Sequence, residues 1–323
     1  MKKPKNFFCA LCGGGVFSIL SEKDRRGGDL QSVVCEGCGL VANRPIPSES
    51  ELAAFYAEHY RRVYKKTAAP KRKHHIRYFT GVVSQITAHR EFYESAAVVL
   101  DVGSGSGEFA RLMSGLGKDV RAIEPTREYA EYTRRVFNLR VFCGAIGDYP
   151  PPAQKFDFIR LNHVLEHLRA PVESLLLLRE WLAEDGVLHV EVPDFKSYCR
   201  VKTPGNIFHY GHIYNYDRDT LTAVLAQAKL IPVRYAGETA AYFKKAEGAV
   251  PAINPQNAAA NKALYARHMR GEFVRGKKSK KLFWKISRML KEQWTAAAIG
   301  GGEKIAEHYV ALLKEKLASG RKN

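Results

Sequence analysis

Four cysteines carry the plainest chemical pattern in the chain, with Cys9-x-x-Cys12 followed, after a gap of twenty-two residues, by Cys35-x-x-Cys38. Two thiol pairs at this spacing form the pattern of a tetrathiolate zinc site. Four thiolates close the tetrahedral shell and leave no position for a substrate, so the Zn2+ expected here is structural. Gly13 and Gly39 follow the second cysteine of each pair and are expected to turn backbone N–H groups toward the thiolates. Residues 1–45 hold too little apolar material to fold unaided, and bound zinc supplies on the order of 10 kcal/mol in comparable peptides.

A second segment could hold a nucleotide-like ligand. Val98-Val99-Leu100-Asp101-Val102 reads as a buried strand and runs directly into Gly103-Ser104-Gly105-Ser106-Gly107, with a helix opening at Glu108. A glycine-rich turn after a strand lets a ligand approach the backbone. The GxGxG spacing differs from the GxGxxG of dinucleotide cradles, and the absence of a following Lys-Ser or Lys-Thr excludes a P-loop. The next strand, Val120 to Ile123, ends in Glu124, an acid placed to accept both hydroxyls of a ribose.

The elements that must position these residues follow from the pattern of apolar runs. Runs at 98–102, 119–123, 139–142, 156–161 and 187–192 alternate with stretches long enough for helices, which predicts a parallel sheet with helices on both faces. A helix from Arg218 to Ala228 and strands near 231–235 and 241–244 complete that domain. The predicted organisation is a zinc ribbon over 1–45, a helical connector over 46–95 opened by the Ser48/Glu51 capping-box pair, an α/β domain over 96–250, and a basic helical extension over 251–323. Composition suits a globular chain of 323 residues, with 51 Lys and Arg against 33 Asp and Glu and a net charge of +18, so an anionic partner or surface is expected. The apolar run near Phe7 and Phe8 is too short and too interrupted by cysteine for a signal peptide, and none approaches the roughly 18 residues that span a bilayer. A cytoplasmic protein is expected, with peripheral attachment to the inner face of the membrane as the alternative.

The segment from about 95 to 235 resembles the class I S-adenosylmethionine-dependent methyltransferases. Asp101 through Gly107 resembles their acid-then-GxGxG motif, Glu124 their ribose acid, and Phe156-Asp157 through Asn162-His163-Val164-Leu165-Glu166-His167 the FD…HVLEH stretch of a large bacterial branch. The resemblance implies a Rossmann-like α/β fold and S-adenosyl-L-methionine as cofactor. It implies cofactor contacts from Asp101, Gly103, Ser104, Gly105, Gly107, Glu124 and Asn162. Cys143 to Asp148 lies where the family binds adenine, with Ala145 or Ile146 contributing backbone and Asp148 as the alternative side-chain contact. A ribbon joined to such a domain also resembles a bacterial group many of whose members methylate sugars, which implies a sugar or glycan acceptor, lipid-linked or free; an RNA methyltransferase and a cofactor-binding module without turnover are the alternatives.

If the acceptor is a hydroxyl, one base suffices. His163 follows the fourth strand, and Tyr198, His209, Tyr210 and His212 are expected on the loop after the fifth, at the edge where open α/β sheets bind ligands. His163 and His212 are the candidate bases, with Tyr198 and His209 beside them. His163, Glu166 and His167 also have a spacing that could hold a divalent metal if they opened a helix. Residues 61–77 carry eight basic side chains and no acid. Lys277 to Lys281 precedes an apolar stripe of Leu282, Phe283, Ile286, Met289 and Leu290. This tail suits an anionic membrane surface, docking on the domain itself, or RNA.

Overall fold

The computed structural model describes residues 7–55, 70–248, 250–273 and 278–319. The basic residues at 61–66 and Lys277, and the side chains of Leu282 and Phe283, lie outside the described residues.

Two sheets form among the described residues. The first begins with β1 (Phe17–Lys23), β2 (Asp29–Cys35) and β3 (Val41–Arg44). Next in the chain come β4 (Val98–Val102), β5 (Asp119–Ile123), β6 (Arg140–Phe142), β7 (Phe156–Asn162) and β8 (Leu182–Glu191). The short β9 (Tyr214–Asn215) precedes β10 (Leu230–Tyr235) and β11 (Ala240–Lys245). The second sheet has the order β10-β11-β8-β7-β4-β5-β6. Its β4, β5 and β6 are mutually parallel, and β11 runs antiparallel to both β8 and β10. All five residues of β4 are buried, the signature of a strand covered on both faces. Helices Glu108–Gly115, Arg127–Phe137, Pro171–Trp181 and Arg218–Gln227 connect the strands, giving a mixed α/β fold of the Rossmann-like class.

The chain divides into two compact units, each discontinuous in sequence: Met1–Ala53 with Leu161–Glu180 and Leu188–Lys278, and Ala54–Arg160 with Trp181–Val187 and Ser279–Asn323. In the first unit, β3 pairs antiparallel with β9, Val41 opposite Asn215 and Ala42 opposite Tyr214. The cysteine-bearing sheet therefore takes its last strand from far along the chain. Helix Asn257–Met269 contributes Ala258 and Tyr265 to a core with Val34, Val41, Phe195 and Phe208, and Lys262 pairs with Glu36 at 2.8 Å. Ser48 and Glu51 form the expected cap of helix Glu49–Ala54, the Ser48 N–H donating to Glu51 Oε2 at 2.7 Å.

In the second unit, helix Arg72–Ala88 buries Ile76, Phe79, Val83 and Ile86. Phe79 stacks on Tyr309 with centroids 5.3 Å apart, and Thr80 and Tyr309 share a 2.8 Å hydrogen bond. Arg77 holds Glu292 through two hydrogen bonds of 2.6 and 2.9 Å. Helix Gly302–Ser319 buries Ile305, Ala306 and Leu313, so this last helix is core material.

Candidate functional site

The glycine loop is built by left-handed glycines at the end of β4. Gly103, Gly105 and Gly107 have φ of 66°, 57° and 81°, values that side chains rarely tolerate. The N–H groups of Gly103 and Ser104 both donate to the Ile123 carbonyl, at 2.8 and 3.1 Å, which ties the loop to the end of β5. A Cβ on Gly107 would lie 2.5 Å from Thr133 Cγ2, whereas one on Gly105 would meet nothing within 4 Å. Close packing fixes one side of the loop, and its backbone stays approachable at Gly105. Buried Glu124 accepts from the N–H of Gly105 at 2.7 Å and of Thr126 at 2.9 Å, so the acid predicted for the ribose also braces the loop.

Asp101 is fully buried; its Oδ1 lies 3.3 Å from Arg160 Nη1, and its Oδ2 has no hydrogen-bond partner among the described residues. Ser104 Oγ is likewise buried and unpartnered there. Burial pushes the Asp101 carboxyl up to about 6 although Arg160 pulls it down. Its pKa is thus raised above the ordinary 3.8: the stability it contributes is complete below about pH 4 and lost as pH rises through about 6. The shift corresponds to about 3 kcal/mol. In urea unfolding, Asp101→Asn should therefore gain stability over the wild type as pH rises from 4 to 8. A difference that stays constant with pH would mean that the carboxyl titrates normally.

Behind the loop lies a buried network without a local sequence signal. Glu108 accepts from Ser106 Oγ at 2.6 Å and lies 2.7 Å from His75 Nδ1, while His75 Nε2 meets the Tyr132 hydroxyl at 2.8 Å. Burial pushes the Tyr132 hydroxyl up to about 12. His75 sits in the basic run at 61–77, and only the packing of its helix reveals its role. In the expected adenine segment, Ile146 is buried and the Ala145 N–H donates to Asp148 at 3.2 Å. That carboxylate is engaged by its own turn. Asn162, in the first unit, is the half-buried last residue of β7.

The cysteines converge. Cys9 and Cys38 sulfurs are 3.5 Å apart, Cys12 and Cys35 sulfurs 3.4 Å, and all four lie within 4.8 Å of one another. A tetrahedral zinc at about 2.3 Å from each sulfur would space them about 3.8 Å apart, so the donor set fits that ion. The glycines shape turns that bring backbone N–H groups to the sulfurs, as expected, while their own N–H groups point elsewhere. Gly13, at φ 70°, donates to the Cys9 carbonyl and Gly39, at φ 80°, to the Cys35 carbonyl, both at 2.9 Å. A left-handed residue at that position closes the turn on the carbonyl four residues back, and it is the Leu11 N–H that faces Cys9 Sγ at 3.4 Å.

The first unit also gathers the histidines. His163 directly follows β7 with φ 56°, and its N–H donates to the Glu191 carbonyl at 2.8 Å. Its ring is 49% exposed, with Nδ1 3.5 Å from Glu166 Oε1 and Nε2 3.9 Å from Glu191 Oε1. Leu165–His167 forms a single 3-10 turn. The left-handed His163 stands outside it, so the helical i, i+3, i+4 arrangement does not form. His212 joins Glu166 and His167 instead. Burial, then the charge of Arg25, pushes His209 down to about 3, and burial, then His167, holds His212 well below the usual imidazole range. The rings of His209 and His212 are 3.7 Å apart. Tyr198 lies on helix Phe195–Val201 and not on the expected loop; burial raises its hydroxyl, and the Lys202 ammonium sits 4.5 Å over its ring. Tyr210 is half-buried. Two contributors were not legible in the sequence. Glu191 flanks His163, and buried Asn43 donates to the carbonyls of His212 at 2.9 Å and His209 at 3.2 Å.

Among known proteins, a family model described as "Methyltransferase domain" matches residues 54–232. An uncharacterised methyltransferase of Staphylococcus carnosus is 25% identical over 126 residues, and the match covers 38% of this chain and 60% of that relative's length. Among solved structures, the CcbJ methyltransferase of Streptomyces caelestis matches with TM-score 0.46 at 14% identity, covering 60% of this chain and 99% of its own. The 1,6-didemethyltoxoflavin-N1-methyltransferase of Burkholderia thailandensis, solved with S-adenosylhomocysteine, matches with TM-score 0.45 at 19% identity, covering 64% and 96%.

Proposed function

This chain belongs to the methyltransferase-domain family, and from that premise we propose that it is an S-adenosylmethionine-dependent methyltransferase that methylates a sugar hydroxyl in polysaccharide or glycoconjugate assembly. The cofactor supplies a sulfonium methyl that is already activated for transfer. The residues of the glycine loop fit such a group: the unpartnered Oδ2 of Asp101 and Oγ of Ser104 are buried polar atoms that a polar ligand would satisfy, and the open side of Gly105 admits close approach. In this reading Glu124 receives the ribose hydroxyls while keeping its hold on Gly105, and Ala145 and Ile146 flank the adenine. The four cysteines hold a structural Zn2+.

His163 is the proposed base, and its setting carries the choice of a hydroxyl acceptor. An alcohol keeps its proton at neutral pH and needs a base as it attacks. The half-exposed imidazole of His163 stands within 4 Å of carboxylate oxygens of both Glu166 and Glu191, groups that stabilise the imidazolium formed when the proton is taken. Sugar, as against another alcohol, rests on the likeness of the ribbon and the HVLEH stretch to sugar methyltransferases.

A lipid-linked acceptor is favoured by helix Lys278–Ile299, which exposes Ile286, Met289, Leu290 and, at 77%, Trp294 beside Arg288 and Lys291. Apolar area and basic charge add at an anionic bilayer surface. Labelled cofactor incubated with nucleotide sugars, lipid-linked glycans and RNA should place label in a glycan fraction, and anionic vesicles should retain the wild type more than Trp294→Ser. Label in RNA alone, released by salt, would replace the sugar reading with an RNA one.

A further inference from the structure

The geometry points to a divalent-metal site formed by Glu166, His167 and His212, separate from the four cysteines. Glu166 is 1% exposed, and neither carboxylate oxygen has a hydrogen-bond partner among the described residues. A buried carboxylate without a counter-charge or donor is among the costliest groups a fold can carry. Its surroundings are imidazole nitrogens: Oε1 lies 3.6 Å from His167 Nε2, 3.8 Å from His212 Nε2 and 3.5 Å from His163 Nδ1. These separations exceed those of good hydrogen bonds.

The tautomer of His167 sharpens the argument. Its Nδ1–H donates to the Gly211 carbonyl, and in a neutral ring this leaves the lone pair on Nε2, facing the carboxylate. Two acceptors aimed at each other need a cation between them. An N–H donated to a backbone carbonyl is also the usual support of a metal-bound imidazole. The three ligand atoms lie within 4.8 Å of one another. An ion at about 2.1 Å from each would draw them to about 3.0–3.4 Å, a contraction that side-chain rotation supplies. One carboxylate and two imidazoles suit zinc, manganese, cobalt or ferrous ions and leave coordination positions open. The rival occupant of the same space is a proton held by an imidazole.

Manganese separates the two, because it takes oxygen and nitrogen donors and competes poorly for thiolates. Full-length protein with its cysteines loaded with zinc is titrated with Mn2+, and free ion is followed by electron paramagnetic resonance. One equivalent should bind per chain. Glu166→Gln, nearly the same shape, should weaken binding at least about tenfold, as should His212→Gln, while His308→Ala on the surface should leave it unchanged. Co2+ at this site should absorb in the visible without thiolate charge-transfer bands. Should Glu166→Gln fail to fold, His167→Gln and His212→Gln carry the comparison. The proposal is overturned if the wild type binds no Mn2+ or Co2+ beyond the cysteine site, if Glu166→Gln binds as tightly as wild type, or if bound Co2+ shows only thiolate bands. Absence of binding together with a higher melting temperature for Glu166→Gln would identify the occupant as a proton.

Discussion

His163→Ala should lower turnover roughly 10²–10⁴-fold while leaving the affinity for S-adenosylmethionine nearly unchanged, the signature of a lost general base. The two candidate bases differ in setting. His212 is buried, kept neutral, and enclosed by His167, His209 and Glu166, so its nitrogens face protein. His163 is half-exposed and held in a left-handed conformation by its N–H bond to Glu191. A non-glycine residue with positive φ is a strained choice that recurs at functional sites. In the proposed reading the cofactor is held by Asp101, Gly105 and Glu124, all in the second unit, where Glu124 accepts from the Gly105 N–H, whereas His163 belongs to the first. Calorimetry and steady-state rates on the same preparations therefore separate the two roles. His163→Ala retaining more than about half of wild-type turnover would remove this residue as the base.

Zinc removal should be the most destructive single perturbation to the first unit. About one zinc per chain is expected on metal analysis, and metal binding in small tetrathiolate modules is worth about 10–16 kcal/mol, more than most domains possess in total stability. The consequence reaches beyond the ribbon, because β3 pairs with β9 and Asn43 holds the carbonyls of His209 and His212. Arg25, in the turn between β1 and β2, donates its N–H to the Phe208 carbonyl at 2.8 Å. Cys12→Ser, or chelation of the wild type, should thus lose β-structure by circular dichroism and turnover together, since the loop carrying His212 loses its supports. Cofactor affinity should fall far less, because the glycine loop and Glu124 belong to the other unit. Protein that contains no zinc when prepared without chelator, or that keeps full turnover after losing it, would contradict this account.

Local pattern was enough to read the strand–loop–strand heart of the cofactor segment. The β4 run, apolar but for Asp101, fits a strand buried on both faces, and glycines at 103, 105 and 107 are the residues able to adopt the positive φ the turn requires. The two cysteine pairs were equally legible, because each lies within one tight turn. Legibility ended where partners are far apart in the chain. Nothing near Asn43 announces that its side chain will hold a loop 166 residues away, and nothing near Glu292 or His75 says that these charged or polar groups will be buried against Arg77 and Glu108.

By itself, then, the amino-acid order determined the class of fold, the glycine loop with its acids, and the two cysteine pairs, since each depends on spacing within a few residues or on the period of a single element. Tertiary structure alone decided that β9 would close the cysteine-bearing sheet, that the last helix would be core, and that His212 would meet Glu166 and His167. Those contacts are set by sheet order and helix packing, which bring together side chains with no common period. A buried carboxylate among imidazoles can be recognised only once the fold has taken it out of water.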